Sequence, residues 1–325
     1  MASALARHML DNDHTVAVVK AITPSEKPDT DAQVYDQLLN QNIDTKLPIH
    51  ISTAQLDESL PNETIAQICE EIALLEEKYS LVIIEGLSSI DSQSKESQNS
   101  INLAQRLGAQ VLVVAKFRSD FLHTELNSCR QLFGDQLLGV IINSVTRYKE
   151  EHVQNLLIPQ LQQAEIPILG WIPEDRTLLG VSVKEITNHL EGQFLNNEEA
   201  DEKLVEHFLI GVLVLDSGVT YFERLHNKAV VVRGNRPDVQ MAALRTPTTC
   251  IVLTGGDEPI QYIQHEAEEE SVPLIKTSYS TLEVTSKLDD LMANVRFNHP
   301  KKLAQIKSLV NQHLDMATLS KNLTK

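Results

Sequence analysis

Glycine is what this sequence withholds longest: in 325 residues the first is Gly86. A phosphate-cradling loop needs glycines, because its backbone N–H groups must close around the anion with no Cβ in the way. Neither GxxxxGK[ST] nor GxGxxG occurs in the sequence, so both common phosphate loops are missing from it. Aromatic residues are scarce at 4%, which leaves Leu, Ile and Val to build the core. Cys69, Cys129 and Cys250 lie far apart without CxxC spacing. That excludes a disulfide framework and fits a reducing compartment. No 18-residue apolar run and no signal-peptide core are present. The expectation is a soluble, cytoplasmic protein without a membrane partner. The 11 histidines form neither HxxxH nor HExxH, so metal catalysis through histidine lacks support. Ser88 and Ser89 make no GxSxG elbow, and nucleophilic hydrolysis is unsupported. Basic clusters are absent as well, Lys301-Lys302 being too short to count, and a net charge of −17 repels phosphate backbones. No nucleic-acid partner is expected.

What is present is a chain long enough for two domains, with a globular hydrophobic content of 42%. Apolar runs recur at Val16–Ile22, Leu81–Ile84, Val111–Val114, Leu138–Ile142 and Ile168–Ile172. Helical patterns lie between them. From Asn62 to Tyr79, Ile65, Ile68, Ile72 and Leu75 share a face, and Glu70, Glu71, Glu76 and Glu77 are expected outside. Ile101, Ala104 and Leu107 repeat the pattern, with Gly108 as a C-cap. Wholly apolar strands alternating with helices predict an α/β protein whose parallel sheet is covered on both faces. The Ser- and Gln-rich stretch Ser88–Ser100 is expected to be a mobile loop.

A polar turn at Pro173–Thr177 marks the boundary between a first domain, residues 1–175, and a second, residues 176–325. The second domain is expected to open with helices at Val181–Leu190 and Leu204–Ile210. It continues with strands at Val212–Leu215, Ala229–Val232, Cys250–Leu253 and Leu274–Ile275, and closes with a helix near Lys301–His313. Met1–Leu10 reads as a helix and Thr15–Ile22 as a strand. In a phosphate-loop fold that helix would follow the loop. The sequence therefore starts where a first strand and loop would already have passed, through loss or through a start set too late.

Candidate ligand residues gather at strand ends, where open α/β sheets place their sites. Arg233-Gly-Asn-Arg-Pro-Asp238 follows the run Ala229–Val232. Arg233 and Arg236, with Asn235 between them and Asp238 in the first helical turn, could grip an anion bidentately. An Arg236–Asp238 structural pair explains the same spacing. Thr254-Gly255-Gly256 ends the next run. It reads either as a nest of backbone N–H groups for an anion or as a plain strand-ending turn. In the first domain Glu85 stands at the end of Leu81–Ile84. Asp29 and Asp31 could hold Mg²⁺ through their oxygens, or could serve as helix N-terminal charges. Lys20 ends a strand, where a lysine stem snorkels easily to water.

Taken in order, these segments resemble a known family over nearly the whole chain. Leu81–Gly86, Val111–Phe117 and Gly139–Ser144 are similar to strands of dethiobiotin synthetase-like P-loop proteins. Ile166–Thr177 resembles the junction into a DRTGG domain, and Arg233–Asp238 with Thr254–Gly256 resembles the two signatures of that domain. The pairing matches the N-terminal, non-catalytic half of long bacterial phosphate acetyltransferases and stand-alone phosphotransacetylase-family proteins. The resemblance implies a P-loop NTPase-like domain lacking its first strand and Walker A loop, followed by a smaller α/β DRTGG domain. It implies Lys20 near substrate or phosphate, and Glu85 holding metal and substrate unless it is a relic. It raises Mg²⁺ and a nucleotide as cofactors to test. Two departures stand out besides the missing loop: position 235 is Asn where the domain name implies Asp, and no acetyltransferase catalytic domain is present. The reading that results is a regulatory, ligand-binding protein that senses an anionic metabolite or nucleotide and self-associates. One alternative is an ATP- and Mg²⁺-dependent ligase carried by a longer native chain, with Asp31 and Glu85 on the metal. Another is a partner subunit for a separately encoded acetyltransferase.

Overall fold

Strands built from uninterrupted apolar residues need cover on both faces, and both units of this protein are organised by that need. The computed structural model describes residues 1–24, 31–52, 58–86, 94–118, 122–211 and 218–323. Contacts divide the chain into two compact units, Met1–Asp175 with Asn298–Lys325, and Arg176–Phe297. No helix among the described residues is long and apolar enough to cross a membrane.

In the first unit β1 (Val16–Lys20) pairs in parallel with β4 (Leu81–Glu85). β2 (Ile22–Pro24) pairs in parallel with β3 (Ile49–Ile51). β5 (Val111–Lys116), β6 (Leu137–Val145) and β7 (Ile168–Pro173) form a parallel ladder in that order. Helix Asn62–Glu76 buries Ile65, Ile68, Ile72 and Leu75 in one cluster with Val19, Ile22, Ile51 and Leu103, as its spacing predicts. Glu71 departs from expectation: it is buried. Its carboxylate accepts hydrogen bonds from the Lys46 amide at 3.0 Å and the Thr45 hydroxyl at 3.1 Å. The Lys46 amide is the main reason its carboxyl titrates below the ordinary range. A carboxylate can turn inward on a helix when a neighbouring loop supplies donors, which helical spacing does not reveal.

The loop expected over Ser88–Ser100 is helical in its second half. Helix Lys95–Leu107 starts at Ser94, whose Oγ accepts from the Ser97 amide at 3.1 Å, and ends at Gly108 with φ +62°. Residues 87–93 lie outside the described residues.

The terminal helices also correct the sequence reading. Pro300–His313 and Met316–Leu323, expected with the second domain, belong to the first unit. Leu314 bridges Gly170, the Asp315 amide donates to Leu169 O at 2.9 Å, and the rings of Trp171 and His313 sit 4.7 Å apart. Lys307 forms an ion pair with Asp11. Gly170 is required here: its φ is +143°, and a Cβ would meet His313 O at 2.2 Å. An apolar helix face shows in sequence, but the surface that covers it does not.

The second unit carries strands β8 (Val181–Ser182), β9 (Gln193–Phe194), β10 (Leu204–Val205) and β11 (His207–Ile210). It also carries β12 (Lys228–Arg233), β13 (Thr248–Thr254) and β14 (Leu274–Lys276). The main sheet runs β11-β12-β13-β14-β9, parallel except for β9. The helix expected over Leu204–Ile210 is therefore two strands. Its apolar residues pair with β8 and β12, and a run this short fits either period until a partner is known. Helix Val183–His189 begins two residues later than expected, at a Ser182/Glu185 capping box. Val212–Leu215 lies outside the described residues.

Both faces of this sheet are covered. Val230, Val232, Ile251 and Leu253 face helices Pro237–Leu244 and Gln261–Glu269. Ala229, Val231, Cys250 and Val252 share a cluster with Val284 and Leu288 of helix Thr281–Ala293. Each buried valine contributes on the order of 2 kcal/mol, so the strand centres leave no room for polar function.

Lys228, at the start of β12, is fully buried, and its ammonium donates to Pro247 O at 2.7 Å. Desolvation pushes its pKa from the ordinary 10.5 down to about 8. Between those values the unfolded chain holds a proton that the folded chain has released, so stability rises with pH across that window. Urea denaturation of wild type and Lys228→Met should show wild type gaining on the variant as pH climbs from about 8 to about 10.5. Parallel profiles would contradict this.

Candidate ligand site

Two carboxyl-terminal sheet edges carry the polar residues that the strand centres exclude. In the first unit Lys20 and Glu85 end β1 and β4 and are register partners, so both side chains leave the same face of the ladder. Glu85 Oε2 accepts a hydrogen bond from the Tyr35 hydroxyl at 2.6 Å. Tyr35 is carried by helix Asp31–Leu39. The Met1 amine is desolvated and titrates below its ordinary range, with the charge of Glu85 opposing the shift. Asp31 opens its helix, and Asp29 lies outside the described residues. Among the described residues no group of three or more His, Cys, Asp or Glu side chains could hold a metal ion. Of the proposed metal set, only Glu85 has a described side-chain environment.

In the second unit the chain leaves β12 at Arg233 and enters helix Pro237–Leu244 with proline at its first position, where a missing N–H costs nothing. Gly234 is pinned against the loop after β13: a Cβ there would meet Asp257 O at 2.2 Å. Gln240, fully buried, clamps the turn by donating to Arg233 O at 2.8 Å and Gly234 O at 3.0 Å. Its Oε1 has no partner among the described residues. Arg233 and Asn235 are exposed at the tip, and no hydrogen bond or ion pair joins the Arg233 guanidinium to another described residue.

Arg236 and Asp238 form the structural pair. Arg236 Nε donates to Oδ1 at 2.9 Å and Nη2 to Oδ2 at 2.7 Å. Arg236 is the main cause holding the Asp238 carboxyl below its ordinary range, and Asp238 raises the guanidinium in return. Both groups are partly exposed, so the pair contributes little to stability.

The glycine turn needs the sharper correction. Gly255 and Gly256 have φ of +87° and +80°, which only glycine adopts without strain, and open space lies where their Cβ atoms would be. Their N–H groups are taken, however: Gly255 donates to Tyr279 O at 2.9 Å and Gly256 to Thr277 O at 3.0 Å. The anion nest is thus a tied turn. Thr254 Oγ1 shares a hydrogen bond of 2.9 Å with Thr281 Oγ1, which fastens the same loop to the start of helix Thr281–Ala293. Sequence reasoning missed Gln240, Asp257, Tyr279 and Thr281. A glutamine within an otherwise apolar helix was the one available signal, and it marks Gln240.

The architecture and these edges define a two-domain α/β protein, with a P-loop-type layer followed by a smaller parallel-sheet domain. The AAA domain model matches residues 1–181 and the DRTGG domain model residues 185–291. The chain belongs to the AAA domain family, and its two domain matches, with relatives named phosphate acetyltransferase, fit a phosphotransacetylase-family protein of the N-terminal-half type. It is similar to the phosphate acetyltransferase of Deinococcus radiodurans, with 23% identity over 349 residues, 99% of this chain and 49% of the relative. The phosphate acetyltransferase of Nitrosomonas europaea shows 21% identity over 311 residues, 88% of this chain and 44% of the relative. The chain thus spans about half the length of the curated relatives it matches. Among solved structures is one of the CBS and DRTGG domains of the regulatory region of Clostridium perfringens pyrophosphatase, complexed with its activator diadenosine tetraphosphate. It aligns with 18% identity and a TM-score of 0.31, over 35% of this chain and 50% of that chain.

Gly234 gives a direct test of the paired loops. Gly234→Ala should cost about 1–3 kcal/mol in denaturant unfolding, since backbone rather than a flexible side chain blocks the new methyl. An unchanged midpoint would show that the two loops are not held together.

Proposed function

We propose that this chain is a regulatory ligand-binding protein. It senses an anionic metabolite or nucleotide at the carboxyl edge of the second unit's sheet, through Arg233, Asn235 and Arg236 beside Asp238 and the Thr254–Gly256 turn. It self-associates in the cytoplasm, and a separately encoded acetyltransferase is the partner to seek. The observation that supports this most is Arg233: an exposed guanidinium without an internal partner among the described residues, on a turn whose backbone is immobilised by Gln240. An arginine so placed offers an anion a planar fork on a backbone that is already fixed, so only its side chain has still to be ordered on binding. Kinship with the N-terminal half of phosphate acetyltransferases supports a controlling role.

Titration calorimetry with ATP, coenzyme A, acetyl phosphate and a diadenosine polyphosphate tests this. At least one should bind, and Arg233→Ala should weaken it by roughly tenfold or more, the worth of one charge-assisted hydrogen bond. No binding by any, or binding indifferent to Arg233→Ala, would defeat the reading.

A second reading, ATP- and Mg²⁺-dependent ligase chemistry at the first unit's edge, draws support from Lys20 and Glu85 standing in register beside Tyr35. Mg²⁺-dependent ATP turnover that Glu85→Gln abolishes would favour it. Turnover indistinguishable from buffer would leave the binding reading alone.

A further inference from the structure

The carboxyl edge of the second unit holds its donors in an unusual state: nearly all of them are aimed at internal acceptors. Gly255 and Gly256 donate to Tyr279 O and Thr277 O. Pro237 has no N–H. The amides of Val239 and Gln240 donate to Arg236 O at 3.2 and 3.1 Å, and two N–H groups of Arg236 reach the Asp238 carboxylate at 2.9 and 2.7 Å. The Asp238 carboxylate therefore occupies the fork of an arginine, a place that a phosphate would also take. The group is neither deeply buried nor part of the apolar core, so packing does not explain it.

The same turn also holds a buried polar side chain. Gln240, further along this helix, is fully buried and spends both described hydrogen bonds on the turn carbonyls, leaving Oε1 without a partner among the described residues. A buried amide oxygen in that state is costly unless something external supplies a donor. The turn thus carries one internal anion and one unused acceptor.

We infer that Asp238 is a resident counter-anion that competes with external anions for Arg236, and so sets a threshold on what the site accepts. The inference rests on the anion-binding reading of this same site. A single weakly charged group gains little by displacing a carboxylate already chelated by arginine. A ligand with two or more phosphoryl groups can engage Arg233 first and then take over the Asp238 position. The threshold selects for polyphosphate chemistry over a lone carboxylate or acetyl group.

The test measures inorganic pyrophosphate and acetate binding by calorimetry, at fixed ionic strength, for wild type, Asp238→Asn, Asp238→Ser and Arg233→Ala. Asparagine keeps the shape and removes the charge, while serine keeps a helix-capping oxygen. Both neutral variants should bind pyrophosphate roughly tenfold tighter than wild type and should narrow its margin over acetate. Thermal unfolding of each variant checks that it is folded. Neutral variants that bind pyrophosphate no tighter than wild type, while Arg233→Ala still loses it, would overturn the role of Asp238 and leave the anion site standing. Loss of binding in every protein, wild type included, would overturn both.

Discussion

Burial of both faces of the second unit's sheet is the constraint on which the rest depends. Along β12 and β13 successive residues alternate between two apolar clusters, so neither face can hold a polar group. Chemistry is thereby confined to strand ends. The two cations of β12 show what position does to one kind of charge. Lys228, at the amino end, is sealed in and reaches only Pro247 O, whereas Arg233, at the carboxyl end, stands in solvent. Desolvation acts on the first and lowers its pKa.

At the carboxyl edge the same economy of space ties loops together through the backbone. Gly234 lies against Asp257, Gln240 holds two carbonyls of one turn, and the residues after β14 absorb the N–H groups of the other. A rigid edge results, in which few side chains remain for a ligand. The charged side chains that the β12 turn leaves at this edge are the exposed Arg233 and the Arg236–Asp238 pair. The first unit's edge differs in kind. Glu85 is engaged by Tyr35, a residue fifty positions away in sequence. There a carboxylate is held by a phenol and has a lysine as its register partner.

Much of this was legible in the residues. Apolar runs bounded by turn residues gave the parallel strands, Gly108 gave a helix end, and the order of weak motifs gave the family. The failures share a cause. Leu204–Ile210 is too short for period alone to decide, and only its ladder with β8 and β12 makes it strand. Glu71 turns inward because Thr45 and Lys46 meet it with donors. The helix Pro300–His313 advertised an apolar face but not its address.

By itself the sequence determined where glycine had to be. Two consecutive positive-φ positions and one backbone contact admit nothing larger, and Gly255, Gly256 and Gly234 meet those demands. It also determined that Arg236 and Asp238 were close enough to pair. Only the tertiary structure decided whether those groups were available. Carbonyls of Thr277 and Tyr279, brought in by a later strand, close the glycine turn, while nothing described closes on Arg233. Hydrogen-bonding capacity is local to a residue, but its satisfaction depends on whatever the fold packs beside it.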